Sequence, residues 1–175
     1  MILPIVTYGD PILRKKCHDL LEINSDISVL IDDMFDTLKN SKGVGLSANQ
    51  VDKPYNIFII DYNDNDEFFK EVFINPNIIH FSDEKDTHKE GCLSLPSLYE
   101  DVNRSNSIKI EYYDINFNKK VDDFNGDLAR IIQHEYDHLN GNFFIDKINP
   151  LKRKMISSKL KMIFNKKIKV NYLIK

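Results

Sequence analysis

The stretch Gln133-His134-Glu135-Tyr136-Asp137-His138-Leu139 decides how the rest of the chain is to be read. It contains H-E-x-x-H. On a helix that spacing sets His134 and His138 one turn apart on one face, where two neutral imidazoles can grip one metal ion. Glu135 is then close enough to accept a proton from a water on that metal. At 100° per residue, Ile131, His134 and His138 fall within about 60° of one another. Leu128, Ile132 and Leu139 continue round the neighbouring face, with Glu135 at the border. Such a helix presents its ligands from inside the fold.

Its boundaries are legible. Asn125-Gly126-Asp127 opens the helix, and Asn140-Gly141 closes it with glycine at a favoured C-terminal position. Upstream, Ser107 to Asp114 and Lys119 to Phe124 read as a hairpin turning at Asn116-Phe117-Asn118. Asn56 to Tyr62 reads as a strand, followed by a polar turn at Asn63-Asp64-Asn65-Asp66. Glu71 to Asn75 and Asn77 to Phe81 read as short strands interrupted by Pro76. An N-terminal helix is expected from the Asn24-Ser25-Asp26 caps to about Asn40, with Ile27, Leu30, Ile31, Met34 and Leu38 at helical spacing. After Asn149-Pro150 a basic amphipathic helix should run to about Asn165, and Lys167 to Ile174 either extends it or forms a strand. The expectation is an α+β fold, with antiparallel strands around the metal-binding helix. Residues 1–175 should form one domain, with 150–175 a basic extension.

Composition narrows the class. Apolar residues make up 42% and charged residues 29% of the 175, ordinary values for a soluble globular chain. Neither a secretory signal nor an apolar run near the ~20 residues of a membrane helix is visible, so the expected location is cytoplasmic, with no membrane partner. The net charge of −3 conceals an asymmetry: residues 150–175 hold nine Lys/Arg and no Asp/Glu, leaving −12 on the remainder. A basic tail on an acidic body suggests an anionic partner, RNA first, although a solvated helix face fits as well.

Two histidines need a third protein ligand and an open position for water. Downstream of His138 there is neither Glu nor His, and Asp146 is the only acidic residue. The third ligand is therefore Asp146 or an upstream residue: His18, His80, His88, Cys17, Cys92 or a carboxylate. Cys92 has the best local chemistry, because Gly91 lets backbone approach, Pro96 stiffens the loop, and a metal binds the thiolate. His18 and His88 lie in polar runs that look exposed, and His80 at a strand end suits a structural histidine. A lone buried cysteine acting as a small hydrophobe is the competing account of Cys92.

Three segments together resemble one family. Gly43-Val44-Gly45-Leu46-Ser47-Ala48-Asn49-Gln50 is similar to the G-x-G-φ-A-A-x-Q motif of peptide deformylases, φ being apolar. Glu90-Gly91-Cys92-Leu93-Ser94 resembles their E-G-C-L-S, and Gln133 to Leu139 their Q-H-E-x-D-H-L. Tyr8 to Arg14 and Arg104 agree further, so the resemblance runs from about Pro4 to Ile148. It implies removal of the formyl group from the N-terminal formyl-methionine of nascent chains. Cys92, His134 and His138 would hold one divalent metal, with Fe²⁺ the family's metal and Zn²⁺, Ni²⁺ or Co²⁺ also accommodated. Glu135 would be the general base and then acid, while the Gln50 side chain and the Leu93 N–H would donate to the formyl oxygen.

By the same resemblance Gly45 would pair with the substrate backbone, Val44, Ile131 and His134 would line the methionine pocket, and Arg104 would belong to the substrate site. Ser47 and Asn49 replace the family's commoner Ala and Pro, with little effect expected. Asn103 stands where Pro often precedes the arginine, and Asp127, usually apolar there, could alter the pocket rim. Contact between the basic tail and the ribosome is a further expectation, with no DNA partner. H-E-x-x-H alone leaves a metallopeptidase or amidase of another class as the alternative.

Overall fold

The structure, a computed structural model, describes residues 1–64 and 67–175. The helices and strands run α1 (Ser25–Ser41), β1 (Gly45–Ser47), β2 (Ile57–Asp64), β3 (Glu67–Phe81), β4 (Lys85–Cys92), β5 (Leu95–Ser105), β6 (Ser107–Tyr113), β7 (Lys119–Asn125), α2 (Gly126–Leu139), α3 (Pro150–Met155) and α4 (Ser157–Phe164). Five strands form one sheet in the order β1-β2-β3-β6-β7, with every pairing antiparallel, and β4 and β5 form a separate hairpin. This is the α+β architecture expected.

Ile57-Phe58-Ile59-Ile60 shows why the sheet lies inside. All four side chains are fully buried, because alternate residues serve two cores. Ile57 and Ile59 pack with Ile27, Leu30, Ile31, Met34 and Leu38 of α1. Phe58 and Ile60 face Leu128, Ala129, Ile132 and Leu139 of α2. On its other side α2 meets the β4–β5 hairpin, where Arg130 and Gln133 donate to the carbonyls of Val102 (3.0 Å) and Ser105 (2.8 Å). The helix that carries His134 and His138 thus sits between the sheet and the hairpin.

Several local expectations change. The two short strands around Pro76 are one strand, β3. Proline removes a ladder donor, and the strand absorbs it at a register shift between Ile74 and Asn77 where Asn75 takes a left-handed φ of 48°. Asn63 and Asp64 belong to β2, and residues 65–66 of the expected turn lie outside the described residues. The basic helix is broken at Ile156 into α3 and α4. α3 buries no side chain and is a solvated face, whereas Leu160 and Ile163 of α4 enter a third core with Val6, Leu13, Leu98 and Phe144. The final segment neither extends α4 nor forms a full strand: it makes a single parallel bridge, Ile174 to Ile5. No helix among the described residues is long and apolar enough to cross a membrane.

Candidate active site

Cys92 ends β4 beside a break in the hairpin register, which turns its thiol toward α2. Its Sγ lies 3.1 Å from His138 Nε2, and Cys92, His134 and His138 bring three donor atoms within 4.8 Å of one another. His18, His80 and His88 are all exposed and lie outside this cluster; His80 is therefore not a buried structural histidine. Asp146 is bound to Arg14 instead, in an ion pair 2.5 Å long. Cys17 is buried in the core below α2.

Three side chains converge on Glu90, and the carboxylate they share holds His134. Arg104 grips its carboxylate through Nε (2.6 Å) and Nη2 (2.9 Å), Arg130 reaches it at 2.7 Å, and His134 Nδ1 lies 3.0 Å away. Burial works against ionisation of Glu90, but the hydrogen bonds from His134 and Arg104 outweigh it and hold the carboxyl far below its usual range. A carboxylate on the distal ring nitrogen fixes the tautomer and orientation of a ligating histidine. This corrects the reading of Arg104. It is 3% exposed, bridges Glu90 and Asp137, and does not line the cleft.

Gln50 is set by what surrounds it. The Ser47 N–H (3.0 Å) and Ser47 hydroxyl (2.9 Å) both donate to its Oε1. An N–H can only donate, so the amide oxygen must face Ser47 and Nε2 must face the thiol, at 3.6 Å from Cys92 Sγ and 3.1 Å from Ser94 Oγ. Ser47 and Asn49 therefore do more than fit. Both are fully buried, and Asn49 Nδ2 donates to the His138 carbonyl at 2.6 Å, tying the loop to the end of α2.

Glu135 is buried, and its Oε2 has no hydrogen-bond partner among the described residues. Burial raises its pKa to about 7 against the pull of the His134 and Arg104 charges. The cleft above these groups, about 630 Å³, is lined by Val44, Gly45, Gln50, Leu93, Ile131 and Glu135 together with Cys92 and His134. Every expected site residue except Arg104 and the deeper-lying His138 therefore borders one space. Asp127 does not reach it and accepts the Tyr62 hydroxyl at 3.4 Å. Arg130 and the C-terminal residues Lys169 to Tyr172 were missed, because only the folded chain brings them to the cleft.

The donor set suits a metal ion. Thiolate and imidazole together accept Fe²⁺, Zn²⁺, Ni²⁺ or Co²⁺. The buried His138 Nδ1 has no partner among the described residues, and the ring's Nε2 faces the Cys92 thiol within the three-donor cluster. A thiolate, two histidines and an adjoining buried glutamate compose a metal-dependent hydrolase site.

Comparison with known proteins agrees. The family model for polypeptide deformylase matches residues 2–154. A peptide deformylase of Flavobacterium psychrophilum is 44% identical over 188 aligned positions, covering 100% of this chain and 97% of that protein. One of Karelsulcia muelleri is 50% identical over 153, covering 87% and 81%. The crystal structure of peptide deformylase from Ehrlichia chaffeensis superposes with a TM-score of 0.88 at 33% identity, covering 95% of this chain and 99% of that one. The chain belongs to the polypeptide deformylase family, enzymes that hydrolyse the formyl group from nascent peptides.

Proposed function

We propose that this chain deformylates N-terminal formyl-methionine with Glu135 as proton carrier and Gln50 and Leu93 as oxyanion donors. The observation that carries the reading is the anchored Gln50 amide, whose N–H₂ reaches Ser94 Oγ and Cys92 Sγ beside a Glu135 carboxylate whose Oε2 has no hydrogen-bond partner among the described residues. Cys92, His134 and His138 would hold the metal, which when bound lowers the pKa of water from about 16 toward 7 and polarises the formyl group. Glu135 accepts the proton of the attacking water and returns it to the departing amine, freeing formate and the peptide's amino group. Negative charge gathering on the formyl oxygen is met by Gln50 Nε2 and the Leu93 N–H, and losing one such donor typically costs about 10²–10³ in rate. Val44 and Ile131 give an apolar wall for the methionine side chain, and Gly45 offers backbone to the first peptide unit. Fe²⁺ is the metal the family implies, and a thiolate-bound ferrous site would be oxygen-sensitive.

The work would be cytoplasmic, at the ribosome, within a single domain of 175 residues. Lys154, Lys161, Lys166 and Lys167 are exposed and without carboxylate partners among the described residues, which supports an RNA-facing role for the basic extension. Removing 150–175 would strip Leu160 and Ile163 from the core, so charge reversal at these lysines is the cleaner test of salt-sensitive ribosome binding. The activity is tested by following formate from a formyl-Met peptide. Formate should appear without cleavage between residues, and Glu135→Gln should abolish it. Full activity in that variant would exclude the mechanism.

A further inference from the structure

The last residues of the chain cross the mouth of the cleft as a strap. Lys166 takes a left-handed φ of 53° after α4, and the chain turns back toward β1 and the hairpin. Ile168 packs on the third core. Lys169, Val170, Asn171 and Tyr172 then line the cleft, with the Tyr172 hydroxyl donating to the Leu93 carbonyl at 2.7 Å. Beyond them the Ile5 N–H donates to the Leu173 carbonyl (2.8 Å) and the Lys175 N–H to the Ile5 carbonyl (2.9 Å), while Lys175 Nζ binds Asp52 at 2.7 Å. The wall is fastened on both sides of its lining residues. It also lies outside residues 2–154, the part the family model matches.

The strap brings a charge. Lys169, Lys42 and Lys89 are exposed at the cleft, and none has a carboxylate partner among the described residues. Asp101, opposite Lys89 in the hairpin register, lies 3.6 Å from Lys152, which Glu100 also approaches at 3.7 Å. The other cation at the cleft, Arg130, is already engaged by Asp86 and Glu90. Glu90 and Glu135 are the only carboxylates lining the space among the described residues; the first is neutralised by two arginines and the second lies at the floor. The mouth is therefore positive where a peptide leaving the formyl-methionine pocket must pass.

We propose that Lys169, with Lys42 and Lys89, forms a cationic rim that favours substrates carrying acidic side chains in the residues after formyl-methionine. The inference rests on the deformylase reading above. Exposed ion pairs are individually weak, roughly 1.5- to 5-fold in an equilibrium. They are screened by salt over about 8 Å at physiological ionic strength. Three ammoniums at one mouth should give a preference of about ten-fold at low salt.

The test compares kcat/KM for formyl-Met-Asp-Asp-Ala and formyl-Met-Lys-Lys-Ala by formate release from the metal-loaded enzyme. The acidic peptide should be favoured about ten-fold at low salt and less in 0.5 M NaCl, and Lys169→Glu should lower the ratio at least about three-fold. Both peptides are read on the same protein sample, so any loss of folded variant cancels in the ratio. Equal values in the unsubstituted enzyme, or an undiminished ratio in Lys169→Glu, would overturn the rim. Weakened ribosome binding by Lys169→Glu with an unchanged ratio would overturn it too, assigning Lys169 to RNA instead. Absence of formate from both peptides would strike the deformylase reading itself.

Discussion

The carboxylate of Glu135 rests against Gly45: a Cβ there would lie 2.6 Å from Glu135 Oε1 and 2.9 Å from its Cδ. β1 and α2 are far apart in the chain, yet the absence of one methyl group lets the Glu135 side chain settle between them. The contact sets one carboxylate oxygen against the Gly45 backbone, while Oε2 has no hydrogen-bond partner among the described residues.

Gly45→Ala should therefore move the base without touching a ligand. A displacement near 1 Å is enough to cost about 10² in rate. Metal content should remain that of the unsubstituted protein, with kcat rather than KM carrying the loss. An alanine variant with undiminished kcat would show that Glu135 does not depend on this contact.

Glu90→Ala should be more damaging to structure than to any single chemical step. It leaves the buried Arg104 with Asp137 and Arg130 with Asp86 as their remaining carboxylate partners among the described residues, with Arg104 only 2% exposed in its side chain. Breaking a buried pair this way typically costs about 3–5 kcal/mol, and loss of the second partner of a ligating histidine about 10- to 100-fold in metal affinity. Urea midpoints and a metal-competition titration read the two effects separately. Unchanged metal affinity would mean that Glu90 does not orient His134.

The contrast between Glu135 and Glu90 marks how far the sequence could be read. The bounds of α2 were legible because caps, periodicity and Gly141 all lie within one element, and Gly141 does take a φ of +75°. Cys92 and Gln50 were legible through motifs that resemble a family. Arg130, Asp137 and the strap were not. Their roles arise from partners distant in the chain, 33 positions apart for Arg104–Asp137 and 79 for Tyr172–Leu93, and no local pattern records such a pairing. Strand β5 was overlooked for a related reason, since Pro96 and the charges of Glu100, Asp101 and Arg104 mask an alternation that buries Leu98 and Val102. Arg104 itself was misplaced because a motif identifies a residue without saying which way its side chain points.

Asn49→Ala should cost about 1–2 kcal/mol, since it removes both the Nδ2 bond to the His138 carbonyl and the Ser47 hydroxyl's bond to Oδ1, each worth about 1 kcal/mol net. The His138 carbonyl keeps the Gly141 N–H at 3.0 Å, so no buried acceptor is stranded when Asn49 Nδ2 is removed. Thermal unfolding of the metal-free protein gives the measurement. A loss of several kcal/mol would mean that the loop holding Gln50 rearranges as well.

Cys17 should make the protein sensitive to alkali. Burial pushes its thiol from the ordinary value near 9.0 up to about 12. The folded-state value is the higher one, so the buried thiol contributes its full stability below the unfolded pKa. Above pH 9 the unfolded chain releases a proton that the folded chain keeps, and this contribution falls as pH rises toward 12. Cys17→Ala, read by urea unfolding at pH 8 and pH 10.5, should lose less stability between the two than the unsubstituted protein. The thiol should also be inert in the fold: in a Cys92→Ala background, iodoacetamide at pH 8 should modify Cys17 only after denaturant is added, because the thiolate is the nucleophile. Rapid labelling of the folded protein would show that the core around Leu139 opens, and that burial does not govern this cysteine.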